Sequence, residues 1–293
     1  MSQSPLPTHS ACPAPTSFVP GSQPPNLREP LQADLPSAPI PEAPECRVIW
    51  GVPFAKVTLP QAVDRIEQLI DRGRPSYVIT ANLNYVMLHH QQAGIPEITQ
   101  QADLIVADGQ PIVWRSRFGS PRLPERVAGS EMIYNLAKLA ARRRWGIYFL
   151  GGAPGVAMRC AKALQKTHPT LRIAGVESPP FRELTSKEQE QQDRRIRSSG
   201  AQLLLVAFGQ PKGERWIFQN YQRLGVPVSI QLGASFDFVA GGAQRASKLW
   251  QRLGAEWVHR MLTDPRRLAP RYARNATFLA RMLVSECRSE RGA

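Results

Sequence analysis

The chain has 293 residues, 42% of them hydrophobic, and a net charge of +14, which suits one large α/β domain with appendages or two small domains. It lacks a run of about 18 apolar residues and does not open on a basic stretch followed by an apolar one, so neither a spanning helix nor a secretory signal is expected, and the predicted location is the cytoplasm. Cys12, Cys46, Cys160 and Cys287 have no C-x-x-C spacing and the five histidines form no ligand pattern, which predicts reduced thiols and no metal site.

Residues 1–45 contain twelve of the 27 prolines, mixed with Ser, Ala, Gln and Gly, and show no apolar period. Such a composition buries too little surface to offset chain entropy, and a disordered leader is expected. From Cys46 onward, β-branched or aromatic runs alternate with amphipathic stretches. Strands are predicted near Arg47–Trp50, Ser76–Thr80, Leu104–Val106, Ile147–Leu150, Leu171–Val176, Leu203–Phe208 and Val228–Leu232, with helices such as Leu59–Asp71, Glu131–Arg143 and Val156–Lys166 between them. The alternation predicts an α/β core over 46–244, a mainly parallel sheet with helices on both faces, whose ligands bind beyond the carboxyl ends of the strands. After Phe238 the strand signal stops. Residues 245–293 read as a basic helical appendage broken at Gly254 and Pro265, with eleven Arg or Lys against four acids, a local +7. That surplus favours an anionic membrane surface, nucleic acid or substrate phosphates, or it is a solvated helix face.

Several strand ends carry polar groups. Thr80, Asn82 and Asn84, in Thr80-Ala81-Asn82-Leu83-Asn84, can hydrogen-bond a sugar or pyrophosphate, or Asn82 or Asn84 can cap the next helix. Asp108, before Gly109, ends an apolar strand and is either a general base or a turn residue. Arg126 precedes a helix, where a guanidinium can pair bidentately with phosphate or form an internal ion pair. Gly151 and Gly152 close a strand–helix corner that can admit a pyrophosphate at a helix N-terminus, but the pattern is not G-x-G-x-x-G. In Gly209-Gln210-Pro211-Lys212-Gly213-Glu214, Lys212 can reach phosphate, and Glu214 is expected to support the helix start. Asp237 sits between aromatics, as a cap or a contact. Arg260, Arg267 and Arg271 are hard to explain as core residues. Trp250 and Trp257 read as packing or interfacial anchors.

These elements, in this order and over about Gly51 to Tyr272, resemble the WecG/TagA/CpsF glycosyltransferase family: T-x-N at Thr80–Asn82, D-G at Asp108-Gly109, E-R-V-x-G at Glu125–Gly129, G-x-P-K-Q-E at Gly209–Glu214 and the Arg-rich end. Two positions depart from it, Gly213 where the family has Gln and Ser247 where it has Pro. Gln210 is the expected substitute for the missing amide. The resemblance implies a Rossmann-like core and a metal-independent, inverting transfer of a hexose, of N-acetylmannosamine or glucose type, from a UDP-sugar. The implied acceptor is an undecaprenyl-diphosphate-linked glycan of cell-wall or exopolysaccharide biosynthesis, at the inner face of the cytoplasmic membrane.

In that reading Asp108 is the base, and Thr80 and Asn82 complete the catalytic group. Arg126, Gly151, Gly152, Gln210, Lys212, Asp237, Arg260, Arg267 and Arg271 bind substrate. It uses no cofactor and no nucleic acid, and leaves a homo-oligomer open. A nicotinamide-dependent oxidoreductase is disfavoured by the missing dinucleotide fingerprint, and a nucleic-acid-binding protein by the lack of a binding motif.

Overall fold

A computed structural model describes residues 44–242 and 265–291. The leader, apart from Pro44 and Glu45, and the segment carrying Ser247, Trp250, Gly254, Trp257 and Arg260 lie outside the described residues. Six parallel strands form the main sheet, in the order β4-β3-β8-β7-β5-β6: β3 Ser76–Ala81, β4 Leu104–Ala107, β5 Gly146–Gly151, β6 Arg172–Glu177, β7 Leu203–Ala207 and β8 Val228–Gln231. The expected α/β class is therefore observed.

One strand was placed differently by the sequence. Cys46–Ile49 (β1) does not join the main sheet but pairs antiparallel with Val52–Ala55 (β2) as a separate hairpin. Trp50 and Gly51 both take positive φ, 46° and 77°, the backbone a two-residue hairpin turn requires. A Trp-Gly turn lacks the usual Asn-Gly signature, which is why the hairpin is illegible in sequence. His90 Nε2 lies 2.9 Å from the Trp50 carbonyl and His89 Nδ1 3.0 Å from Thr99 Oγ1, so the adjacent histidines tie local structure together.

The strands alternate cleanly between two cores. Val78, Val106, Phe149, Leu205 and Ile230 face α1 (Leu59–Asp71), α5 (Gly129–Arg143), α6 (Val156–Thr167) and α9 (Ser235–Val239). Tyr77, Ile79, Ile105, Leu150 and Val206 face the other layer, which includes α2 (Leu83–Gln91), α3 (Ile95–Gln100), α4 (Gln110–Ser116), α7 (Ser186–Ser198) and α8 (Lys212–Leu224). This two-sided burial makes the central strands read as continuous apolar runs. Helix starts are encoded locally: Thr58 and Gln61 form a capping box on α1, and Thr185 and Glu188 do so on α7.

The last described helix, α10, spans Pro265–Arg291 and begins at the proline where the sequence predicts a break. Among the described side chains Leu268, Asn275 and Phe278 are its buried positions, at the seven- and three-residue spacing of one helix face. The Phe278 ring packs 5.5 Å from His90 of α2.

Candidate active site

Beyond the carboxyl ends of β4, β3, β8 and β7, a cavity of about 390 Å³ opens under α10. Thr80, Asn82, Asp108, Arg126, Gln210 and Arg271 line it together, from segments spread over nearly 200 residues of chain. Asn84, Gln231, Ser235, Tyr272 and Asn275 add polar groups, and Leu83, Trp114, Leu232, Phe238 and Leu279 form apolar walls.

Asp108 follows β4, its backbone N–H held by the Ala81 carbonyl at 2.9 Å. Its Oδ2 accepts the Gly129 N–H at 3.2 Å, at the start of α5, where the helix dipole favours a carboxylate. A Cβ on Gly129 would lie 3.2 Å from Leu232 and 3.5 Å from Asp108 Oδ2, so a residue without a side chain lets the helix end approach. Thr80, nearly buried, donates from Oγ1 to the Gln231 carbonyl at 3.2 Å. Asn82 caps α2 by accepting the Tyr85 N–H at 3.2 Å, while its residue still lines the cavity. The carboxylate of Glu125 accepts the Leu59 N–H at 2.6 Å, at the start of α1.

Gln210 is the hub on the β7 side. Its Oε1 accepts from Asn84 Nδ2 at 3.2 Å and from Arg271 Nη2 at 3.4 Å, joining α2, the turn after β7, and α10. The space that a side chain at position 213 would take is filled by Gln231, not Gln210. A Cβ built on Gly213 would lie 2.4 Å from the Gln231 carboxamide. With its amide assigned the orientation that satisfies both ends, Gln231 donates to the Val206 carbonyl at 2.6 Å and accepts the Gly209 N–H at 2.9 Å, fixing the turn that carries Gln210. Gly213→Ala is expected to destabilise the fold by about 1–3 kcal/mol through overpacking. Denaturant unfolding should show the loss relieved when Gln231→Ala is added; equal loss with and without it would break the link between the two positions.

Glu214, which sequence reasoning assigned to the helix start, is 3% exposed beside this hub. Burial pushes its carboxyl up to about 7, against the opposing effects of its own backbone N–H, the Gln210 amide and Arg271. Below about pH 4.5 folded and unfolded chains are both protonated there; from 4.5 to 7 only the unfolded chain ionises, so stability falls across that window. Glu214→Gln should therefore gain stability over the native chain by on the order of 3 kcal/mol at pH 8, a gap that closes toward pH 4. Denaturant unfolding at the two pH values checks this, and a pH-independent gap would contradict it.

Other expected site residues are not in the cavity lining. Gly151 takes φ 103° because β7 passes close: its Cβ would meet the Ala207 backbone at 2.9 Å. It ends β5 and Gly152 follows, further along the same sheet edge, and Lys212 is exposed at the first turn of α8. Asp237 is half-buried in α9. Arg260 lies outside the described residues, as does the side chain of Arg267. Among the described residues no group of three or more His, Cys, Asp or Glu could hold a metal ion, and no helix is long and apolar enough to cross a membrane.

Asn84 was singled out from the sequence, with Thr80 and Asn82, whereas Gln231 and Asn275 were not. Their signal, a polar residue at the end of an apolar strand or on a helix stripe, is common to many surface positions.

The chain is 29% identical over 225 residues to a Staphylococcus aureus protein named N-acetylglucosaminyldiphosphoundecaprenol N-acetyl-beta-D-mannosaminyltransferase, covering 75% of this chain and 85% of that one. It is 27% identical over 198 residues to a Bacillus spizizenii protein of the same name, covering 68% and 75%. Residues 47–292 match the Glycosyl transferase WecG/TagA/CpsF family, and the chain belongs to that family.

Proposed function

We propose that this glycosyltransferase moves a hexose, of N-acetylmannosamine or glucose type, from a UDP-sugar to a polyprenyl-diphosphate-linked acceptor in cell-surface polysaccharide synthesis. The observation that carries the reading is the convergence on one cavity of a single strand-end carboxylate, Asp108, with two guanidinium residues, Arg126 and Arg271, and a set of neutral amides and hydroxyls. Amides and hydroxyls suit a sugar, guanidinium groups suit a diphosphate, and the apolar wall suits the lipid side of an acceptor. The names of the two bacterial relatives, which specify a diphosphoundecaprenol-linked acceptor and a mannosaminyl donor group, support the same substrate class.

In the proposed reaction the acceptor hydroxyl oxygen attacks the anomeric carbon as the bond from that carbon to the UDP β-phosphate oxygen breaks. Asp108 takes the hydroxyl proton, and the charge left on UDP is neutralised by Arg271 and Arg126 in place of a metal. Thr80 and Asn82 orient the sugar, and Gln210 positions Arg271. The Gly151-Gly152 corner, Lys212 and Asp237 extend the donor side along the sheet edge, and the reading assigns diphosphate binding at the cytoplasmic surface of the membrane to the arginines of the basic tail, Arg260 and Arg267 included.

A screen of UDP-sugars for UDP release with a short-chain polyprenyl-diphosphate-N-acetylglucosamine analogue, run with and without EDTA, tests the reading. Turnover with one UDP-hexose in the presence of EDTA is the expected result. Turnover with none of them would overturn it.

A further inference from the structure

The wall of the cavity formed by α4 continues outward into an apolar, positively charged face. Trp114 lines the cavity and is 44% exposed; one turn on, Phe118 is 78% exposed. Solvent exposure of an aromatic ring on a loose loop needs no explanation, but this ring is held out by a fixed backbone. The Phe118 carbonyl accepts Arg115 Nη1 at 3.0 Å, its N–H donates to the Arg115 carbonyl at 3.2 Å, and Arg47 Nη1 of β1 donates to the nearby Ser120 carbonyl at 2.5 Å.

Arg115 also grips Glu286 of α10 through Nε and Nη2 at 2.8–2.9 Å, so α4 and the end of α10 form one wall. Leu283, one turn before Glu286, is 44% exposed. Between Gly109 and Pro124 the chain carries three arginines and no acid, and Arg117 and Arg122, one and four residues from Phe118 in sequence, are exposed.

We infer that this α4 face is a docking surface for an anionic lipid bilayer, with Phe118 entering the headgroup boundary, Trp114 at the edge and Arg117 and Arg122 on lipid phosphates. The inference rests on the acceptor class proposed above, and adds to it which element meets the membrane. An amphipathic aromatic surface rimmed by guanidinium groups has the chemistry of an interfacial segment. A second copy of the chain is the poorer occupant, since a two-fold contact through this patch would bring like-charged arginines together. The position is also functional. A diphosphate attached to a membrane-embedded polyprenyl chain sits at headgroup level, and a cavity whose rim is seated there receives it without lifting the lipid tail into water.

The test uses the full chain and vesicles of phosphatidylcholine with phosphatidylglycerol, containing no acceptor. Phe118→Ser is expected to lower vesicle partitioning by about tenfold, the loss of one buried aromatic side chain, and Arg117→Ser by about fivefold. Phe181→Ser removes an 87% exposed ring beyond β6, at the opposite edge of the sheet, and should bind as the native chain does. The indole of Phe118→Trp should be quenched by brominated lipids. Activity of Phe118→Ser on a water-soluble short-chain acceptor should be unchanged, while activity on a vesicle-embedded long-chain acceptor falls with the partitioning. Native partitioning of both Phe118→Ser and Arg117→Ser would overturn the inference, as would a change confined to the sedimentation coefficient, which would assign the face to a second copy. Loss of soluble-acceptor turnover in the native chain itself would count against the proposed reaction and leave the partitioning result standing.

Discussion

Asp108→Asn is expected to lower kcat by roughly 10²–10⁴, the usual contribution of a positioned general base, with UDP affinity nearly unchanged. The two effects separate because of where the carboxylate sits. Asp108 is anchored by its backbone to Ala81 and by Oδ2 to the Gly129 N–H, and an Asn carbonyl oxygen can keep the second contact. The substitution therefore removes the proton acceptor without disturbing the meeting of β4 and α5. Steady-state turnover together with calorimetric binding of UDP makes the measurement. An Asn variant that turns over at the native rate excludes Asp108 as the base, and one that fails to bind UDP makes the carboxylate part of the donor pocket instead.

The three-layer fold was legible because its strands are buried on both sides and its helices on one. Tyr77-Val78-Ile79 reads as an unbroken apolar run because alternate residues enter different cores. Leu59–Asp71 reads as a helix because Thr58, Pro60 and Gln61 set its start and Ala62, Ile66 and Leu69 share one face. The β1–β2 hairpin was not legible, because its turn places Trp50 at positive φ, a conformation imposed by surrounding packing and not by residue preference. Site residues divide in the same way. Asp108 and Thr80 stand at strand ends, where the topology directs attention, whereas the closeness of Gly213 to Gln231 depends on how β8 meets the turn after β7, a contact between residues 18 positions apart in sequence. The departure at position 213 looks like a missing amide in one dimension and a filled space in three.

The cavity depends on α10 as much as on the sheet. Leu268 and Phe278 bury the helix against the core, the Arg115–Glu286 pair ties its far end to α4, and between them Arg271, Tyr272, Asn275 and Leu279 form the cavity roof. A helix so fixed holds a guanidinium in one place before substrate arrives, and that pre-organisation is what makes a charge effective at a leaving group.

Arg271→Ala is accordingly expected to reduce kcat by about 10²–10³, the loss that follows removal of one fixed donor to developing negative charge. Arg271 Nη2 rests on Gln210 Oε1, and its charge also opposes the rise of the buried Glu214 carboxyl, so the guanidinium stands between a neutral amide and an ionisable group below the cavity. Arg271→Lys keeps the charge and gives up the planar fork, and should recover only part of the rate. A role confined to holding α10 in place would instead lower stability and raise KM, with kcat retained at saturating substrate. Measuring kcat, KM and denaturant unfolding for both variants separates the two. Full turnover by a stable Arg271→Ala enzyme would remove Arg271 from the chemistry and leave Arg126 as the guanidinium within the described cavity to meet the diphosphate.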